Sequence, residues 1–372
     1  MNCLHICNDF YGSAVHKNLY KSLSEHLTSQ TVFYPSRSYL SVPDAKTIAI
    51  ANTKVIHSKP LRNYHKIFFR NKINHLFNDL EKKTTLSEFD FVHATTLFSD
   101  GALALRIKKK YGIPYILAVR ATDIDGFFKY RPDLKYLGKE ILKESSHVVF
   151  ITEALKNRFL NHRFIKNDSH NVSPKFTMIP NGINSYWLNN LAPKKDLEKP
   201  AKILYVGTFE KRKNAVSLIN SIIELNKNGV ICELTLVGDG GSLQEKVENM
   251  ANQHDFIKYL GRINNIEKLR EVYNQHQIFA LPSKVETFGL VYLEALSQGI
   301  PILYLKNQGV DGLFKFNVGE RCDDDKVSTI AKKLQYIMQN YSQYQIEKLN
   351  FSEFSWDTIA LTYTKMFKKI LE

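Results

Sequence analysis

The chain has 372 residues, 44% hydrophobic and 24% charged, a balance that fits a folded globular protein and excludes a disordered or fibrous one. No apolar run approaches the length needed to span a bilayer, and the opening "MNCLHICNDF" has no basic segment before its short apolar stretch, so it reads as a first strand and not a secretion signal. The net charge of +14 is lopsided: residues 1–193 hold 27 Lys and Arg against 15 Asp and Glu, and the remainder hold 24 against 22, which points to an anionic partner for the first half.

In chain order, "NCLHIC" (2–7) reads as a strand and the segment beginning "GSAVHKNLY" as a helix. Cys3 and Cys7 share that strand, and with Cys232 and Cys322 they show no zinc spacing; buried free thiols and a cytoplasmic setting are expected. The stretch 61–80 spaces Leu61, Ile67, Phe68, Phe69, Ile73, Leu76, Phe77 and Leu80 roughly as a helix does, with Arg62, Lys66, Arg70 and Lys72 among them. Such a basic amphipathic helix rests on an anionic membrane or packs on the domain's own sheet. Strands follow at 89–95, 114–123 and 147–152, alternating with helical "GALALRIKKKYG" and "EALKNRFL". The tract "RIKKKYG" (106–112) is a nucleic-acid-type basic run or a solvated helix end, and no nucleic-acid motif accompanies it.

A polar segment near 188–200, with Pro193 and Pro200, reads as a linker. Strand patterns resume at 201–208, 232–240, 257–261, 277–282 and 301–305. This strand–helix alternation implies two α/β halves, each a doubly wound parallel sheet. In such folds ligands sit beyond the carboxyl ends of strands, against helix N-termini. After the strand at 277–282 comes "SKVETFGLVYLEALSQGIP" (283–301), with a helix expected to start near Phe288 and to stop at Gly299 and Pro301. The amides of Phe288, Gly289 and Leu290 then form an anion site. Glu286 stands at its mouth, and Glu294 lies inside an apolar helix. Burying a carboxylate without partners is costly, so Glu294 either pairs with a group of the protein or accepts from a ligand diol. The run "CDDDK" (322–326) precedes a helix and fits capping better than a metal cluster; no metal site is expected.

The segment 261–303 resembles the donor-binding half of retaining GT-B glycosyltransferases of family four, through Glu286, Phe288, Gly289, Glu294, Ala295, Gly299 and Pro301. "LYVGTFEKRKN" (204–214), "LTLVGDG" (234–240), "MIPNGIN" (178–184) and the terminal "FSWDTIALTYTKMF" agree with it. The resemblance implies two Rossmann-like domains facing a central cleft: residues 1–190 for the acceptor, 200–355 for the donor, and a helix at about 356–372 crossing back onto the first. It implies that Glu294 binds the ribose hydroxyls of a nucleoside-diphosphate sugar, UDP- or GDP-linked, that Glu286 contacts the donor sugar, and that Lys213 neutralises the diphosphate. Phe288, Gly289 and Leu290 would hold the distal phosphate, Gly207 would also belong to the donor site, and Arg262 and Ile263 would border the base. Gly12 and Ser13 match the loop after the first strand that closes over the phosphates. Arg120 and Asp123 fall where the family often shows a histidine and an aspartate near the reacting centre. The implied reaction is sugar transfer with retention, without metal or cofactor, to a glycan or lipid-linked acceptor in surface polysaccharide or lipopolysaccharide synthesis.

Three departures stand out. Thr208 replaces an arginine near Lys213, which Lys211 or Arg212 would have to replace in function. Ser13 replaces a glycine. Arg120 replaces the histidine and cannot titrate near neutral pH; it holds an anionic group or pairs with Asp123 or Asp125. Two other function classes fit the composition. A sugar-nucleotide epimerase would need acid–base groups, for which His16 and His93 are the available residues, and a basic nucleic-acid-binding protein would need a surface the sequence does not display.

Overall fold

The structure, a computed structural model, describes residues 1–37, 49–166 and 175–372. Its strands are β1 (Asn2–Ile6), β2 (Ser29–Tyr34), β3 (Thr53–His57), β4 (Phe91–Ala94), β5 (Tyr115–Ala118), β6 (His147–Phe150), β7 (Phe176–Met178), β8 (Ala201–Val206), β9 (Cys232–Val237), β10 (Ile257–Tyr259), β11 (Ile278–Ala280), β12 (Ile302–Leu305) and β13 (Gly319–Cys322). The helices are α1 (Ala14–Leu23), α2 (Phe69–Lys83), α3 (Ser99–Tyr111), α4 (Lys135–Glu144), α5 (Glu153–Leu160), α6 (Ser185–Asn189), α7 (Ala215–Lys227), α8 (Gln244–Asn252), α9 (Ile266–Asn274), α10 (Leu290–Ser297), α11 (Val327–Gln339) and α12 (Trp356–Leu371).

Two sheets result, both wholly parallel. The first has order β3-β2-β1-β4-β5-β6-β7 and the second β10-β9-β8-β11-β12-β13. Each runs outward in one direction, then restarts beside its first strand and runs the other way. The reversal falls between β1 and β4 in the first sheet and between β8 and β11 in the second. These junctions part the flanking loops and leave a crevice at the carboxyl edge. Strands β1, β4 and β5 are almost entirely buried, as parallel strands covered on both faces require.

The chain divides into two units. The first comprises residues 1–151, 155–182 and 356–372; the second comprises 152–154 and 183–355. The division lies at Gly182–Ile183, earlier than the expected break at 190–200, because the polar segment there is not a free linker. Residues 185–189 form α6, whose buried Trp187 packs edge-on against Tyr273 at 5.3 Å within the second unit. Helix α12 belongs to the first unit. Its Ile359, Tyr363 and Phe367 share one buried cluster with Cys3, Leu19 and Tyr20, and Ser22 Oγ donates to Asp357 at 2.9 Å.

The stretch 61–80 is not one helix. A 3-10 turn covers Asn63–Lys66 and α2 begins only at Phe69. Ile73, Leu76, Phe77 and Leu80 are buried in the first unit, whereas Ile67 and Phe68, in the break, are 70% and 57% exposed. The basic tract at 106–112 is also not a bare cationic face. Lys108, Lys109 and Lys110 pair with Glu144, Glu140 and Glu81 from neighbouring helices. All four cysteines are free and buried, and burial pushes the thiols of Cys7 and Cys322 up to about 12.

Candidate active site

At the reversal of the second sheet, the loops after β8 and β11 meet. Strand β8 runs into Gly207, a 3-10 turn over Lys211–Lys213, and then α7. Strand β11 runs through Glu286 to Gly289 and into α10. Lys213 Nζ lies 2.6 Å from Glu286 Oε2, and the two side chains are only 15% and 9% exposed. The sequence singled out both residues but gave no sign that they pair. The other Glu286 oxygen accepts from the Thr287 amide at 3.2 Å, and the Glu286 amide donates to Gln308 Oε1 at 3.0 Å. Glu286 is therefore fixed from three sides.

Helix α10 starts at Leu290, two residues later than expected. Gly289 is its cap at φ 76°, a left-handed conformation that glycine adopts without strain. A Cβ there would lie 2.6 Å from the Tyr292 ring and 3.2 Å from Glu286 Cγ, so only glycine leaves Glu286 in place. The left-handed entry shifts the open donors along the chain. Among the described residues the amides of Phe288, Gly289, Leu290 and also Val291 meet no acceptor, whereas the Tyr292 amide already bonds to the Gly289 carbonyl. Open N–H groups at a helix start favour an anion.

Glu294 resolves its alternative in part. Tyr273, wholly buried in α9, donates to Glu294 Oε2 at 3.1 Å, and no other donor among the described residues reaches the carboxylate. Burial raises the Glu294 carboxyl from 4.5 to about 7, with the Tyr273 bond opposing that shift. One phenol leaves an ionised carboxylate under-supplied with donors. No local spacing points to Tyr273, which stands 21 positions away in another helix.

The neighbouring loops close the same edge. A Cβ on Gly238 would lie 1.9 Å from the Gly207 carbonyl oxygen, which makes these two glycines the point where the β8 and β9 loops touch. Gly261, left-handed at φ 67°, follows β10 and turns the chain into Arg262 and Ile263. Arg262 is exposed and donates to Asn264 Oδ1 at 2.8 Å, while Ile263 is half-buried. Thr208 uses its carbonyl to accept from the Tyr205 hydroxyl at 2.7 Å. Arg212 is held by Glu210 on the exposed turn, and Lys213 is the cation bonded to Glu286.

In the first unit, Ser13 has φ −132° and caps α1 by accepting from the Val15 amide at 3.2 Å, so serine fits where the resemblance shows glycine. A Cβ on Gly12 would lie 2.2 Å from Asp9 Oδ1. The guanidinium of Arg120 does not pair with Asp123 or Asp125. Its Nε donates to the Thr95 carbonyl at 3.2 Å, and Asp125 pairs with Arg158. Asp123, fully buried, accepts from the backbone amides of Leu97, Phe98 and Arg120 at 3.1, 3.2 and 2.9 Å. Burial raises its carboxyl to about 6 against those three amides. Residues 123–128 form a π-helical turn, a wider geometry that often marks functional sites and that no spacing in the sequence announces. His16 and His93 lie in a buried group with His5 and Tyr20, where His5 Nδ1 and His93 Nδ1 are 3.0 Å apart. Burial pulls His16 down to about 3 and His93 well below its ordinary value, so neither exchanges protons near neutral pH.

Residues 17–186 match the family described as Glycosyltransferase Family 4, and residues 189–350 match Glycosyl transferases group 1. The chain belongs to the group 1, family-four glycosyltransferases. An uncharacterized glycosyltransferase of Methanocaldococcus jannaschii is 24% identical over 85% of both chains. The alpha-monoglucosyldiacylglycerol synthase of Acholeplasma laidlawii is 24% identical over 77% of this chain and 74% of its own. Among solved structures, a lipopolysaccharide outer core galactosyltransferase in its apo form superposes with a TM-score of 0.74 at 18% identity, covering 99% of this chain and 100% of that one. Sucrose-phosphate synthase from Thermosynechococcus elongatus gives 0.73 at 16%, covering 99% and 98%. The fold of this glycosyltransferase is thus GT-B, two parallel-sheet α/β domains. Among the described residues no helix is long and apolar enough to cross a membrane.

Proposed function

We propose that this glycosyltransferase moves a sugar from a nucleoside-diphosphate sugar, UDP- or GDP-linked, to a glycan or lipid-linked acceptor with retention of configuration. The observation that carries this reading is the half-buried Lys213–Glu286 pair at the reversal of the second sheet, beside four open amides and an under-supplied Glu294. A diphosphate gives Lys213 and the amides of Phe288 to Val291 the anion they face, and a ribose diol gives Glu294 its missing donors. Gly207 leaves room for the diphosphate, and Arg262 and Ile263 border the base. Glu286, held against Lys213, meets the sugar hydroxyls.

Charge dictates the chemistry. As the bond between the anomeric carbon and the phosphate oxygen breaks, negative charge grows on the diphosphate. Donors already aimed at it lower the barrier without reorganising. The acceptor oxygen bonds to the anomeric carbon on the face the diphosphate leaves, and its proton passes to a phosphate oxygen. No metal or cofactor enters this scheme. Arg120 and Asp123 are assigned to the acceptor side, Arg120 as a fixed cation and Asp123 as the group that shapes its loop, and Gly12 and Ser13 to the loop after β1. The neutral, buried His16 and His93 speak against an epimerase, and the paired Lys108–Lys110 tract speaks against nucleic acid.

The acceptor reading extends to surface polysaccharide or lipopolysaccharide synthesis at the inner face of the cell membrane. Exposed Ile67 and Phe68, flanked by Arg62, Lys66 and Arg70, form an apolar tip among cations suited to an anionic leaflet. Screening UDP-, GDP- and ADP-sugars for hydrolysis tests the reaction: turnover of at least one is expected, and neither turnover nor binding of any would refute it. Flotation with anionic and neutral vesicles tests the membrane contact, which must be stronger for the anionic ones and weaken with salt.

A further inference from the structure

The first unit carries its own cavity at the reversal of its own sheet. It has a volume of about 430 Å³ and is framed by segments that follow β1 to β5. Arg37 follows β2, Lys66 follows β3, and Arg131 follows β5, while Lys72 reaches in from α2. A second cavity of about 270 Å³ shares Arg37, Lys66 and Lys72 and adds Arg62. Phe69, Phe127 and Tyr130 supply an aromatic wall. The floor is polar: Asn8 donates to Thr96 Oγ1 at 3.3 Å and to the buried Asp100 at 3.1 Å.

Lys72 is the informative residue. Its Nζ donates to Ser99 Oγ at 2.9 Å, and among the described residues no carboxylate lies within ion-pair distance of it. Burial, with Arg37 acting in the same direction, pulls its ammonium down to about 8 against the attraction of Asp100. A desolvated cation beside other cations destabilises the empty protein. The acids nearby are Asp9, which interacts with Arg37 and whose carboxyl burial raises, together with Asp100, Asp123 and Asp133. Asp123 is engaged by three backbone amides, and burial raises the carboxyls of both Asp100 and Asp123 to about 6. Arg131 is bridged by exposed Asp133 through two bonds of 2.9 and 2.7 Å, which orients its guanidinium at the rim. Cations converging on a space with a hydroxyl-bearing floor and an aromatic wall suit a sugar ring that bears an anionic group.

We propose that this cavity binds the acceptor through a phosphate or carboxylate attached to a sugar, with Lys72, Arg37, Lys66 and Arg131 holding the anion and Phe127 and Tyr130 lying against the ring. The proposal rests on the reading of the first unit as the acceptor side of the glycosyltransferase. It makes the acceptor an acidic sugar, either free or at the head of a lipid.

The test is equilibrium binding to the full chain of glucose, glucose 6-phosphate, glucuronate and inorganic phosphate, by calorimetry, with no nucleotide sugar present. Glucose 6-phosphate and glucuronate should bind well above glucose. Lys72→Met and Arg131→Gln should each weaken them about tenfold to a hundredfold, the scale of a lost charge-assisted hydrogen bond, and Lys213→Ala in the second unit should leave them unchanged. Lys72→Met should also raise the melting temperature of the empty chain, because it removes a desolvated charge; a lysine with a purely structural role would lower it. Arg131→Gln, at the rim, keeps the test valid if the other variant fails to fold. Equal binding of glucose and glucose 6-phosphate, or anion binding that survives both variants or disappears only in Lys213→Ala, would overturn the proposal. Phosphatidylcholine vesicles with and without phosphatidic acid separate the sources: competition with glucose 6-phosphate that depends on Lys72 marks a lipid-borne anion, and its absence a soluble one. A chain that binds these sugars but turns over no nucleotide sugar keeps the cavity and loses the donor reading; the reverse result removes the cavity alone.

Discussion

The two units solve one topological problem with different materials. Both sheets reverse beside their first strand, and both place their notable polar groups at the carboxyl edge there. The second unit equips its edge chiefly with backbone: open amides before α10, Gly207, Gly238 and Gly289 at close approaches, and the ion pair Lys213–Glu286. The first unit equips its edge with long cationic side chains from separate loops. Backbone donors fixed by glycine geometry suit a ligand part that never varies, such as a diphosphate. Side chains on loops suit the part that differs between relatives. The difference teaches that a parallel fold fixes where a ligand goes, and the loops fix its chemistry.

The contrast can be broken most severely at the ion pair. Lys213→Ala should reduce turnover about a hundredfold to a thousandfold, the cost of removing one preorganised donor from a developing anion, while free nucleoside, which lacks phosphate, binds as before. Steady-state kinetics with the hydrolysed donor measures this. Greater damage from Arg212→Ala, on the exposed turn, would transfer the phosphate role to that residue.

Next in size is Glu294→Ala, which should weaken nucleoside-diphosphate binding by about 1–3 kcal/mol, the range for losing hydrogen bonds to a charged group. Calorimetric titration of a folded variant decides it; unchanged affinity removes the ribose role. The glycines sharpen the comparison directly. Gly289→Ala forces a left-handed alanine against Tyr292 and should cost about 1–3 kcal/mol of stability. Gly126→Ala, in the π-helical turn of the first unit, meets nothing within 4 Å and should change stability by less than about 0.5 kcal/mol. Denaturant unfolding of both variants checks this, and equal losses would erase the distinction between a backbone-built and a side-chain-built edge.

The smallest effect is in pH. With its carboxyl at about 7, Glu294 is largely protonated at pH 6 and ionised at pH 8. Ribose hydroxyls donate to the ionised form, so nucleoside affinity should climb severalfold as pH rises through 7 and then level off. The stability contribution has the opposite sign. Between 4.5 and 7 the folded protein holds a proton that the unfolded chain has released, so this residue's share of stability falls as pH rises through that window. Glu294→Gln should flatten the binding profile, and a slope that persists would assign it elsewhere.

Legibility in the sequence followed the same division. The edge of the second unit could be read because backbone geometry demands particular residues at fixed offsets: Glu286, Gly289, Glu294 and Gly299 all fall within one loop and helix. Its partners across the sheet could not be read, since the Lys213–Glu286 bond and the Tyr273–Glu294 bond join different elements. The cavity of the first unit gathers Arg37, Lys66, Lys72 and Arg131 from four segments, none distinctive locally, so only the excess positive charge of the first half hinted at it. Most buried strands were visible as apolar runs. Strands β2, β3, β7 and β13 do not stand out in the sequence, β3 and β7 being only partly buried and β13 carrying polar Glu320 and Arg321. The stretch 61–80 misled for a related reason: periodicity sees spacing, and the exposed break at Ile67 and Phe68 keeps helical spacing without being helix.

Helix α12 imposes an order on synthesis. The first unit draws Ile359, Tyr363 and Phe367 into its core, yet these residues follow the whole of 183–355 in the chain. On the ribosome, the segment made first must wait for α12 before its hydrophobic core closes, while the second unit, nearly continuous in sequence, can fold as soon as it emerges. During that interval the pocket for α12 beside Leu19 and Tyr20 stands open as apolar surface. A chain cut before Trp356 would therefore damage the unit at the opposite end of its sequence and leave the nearer one intact.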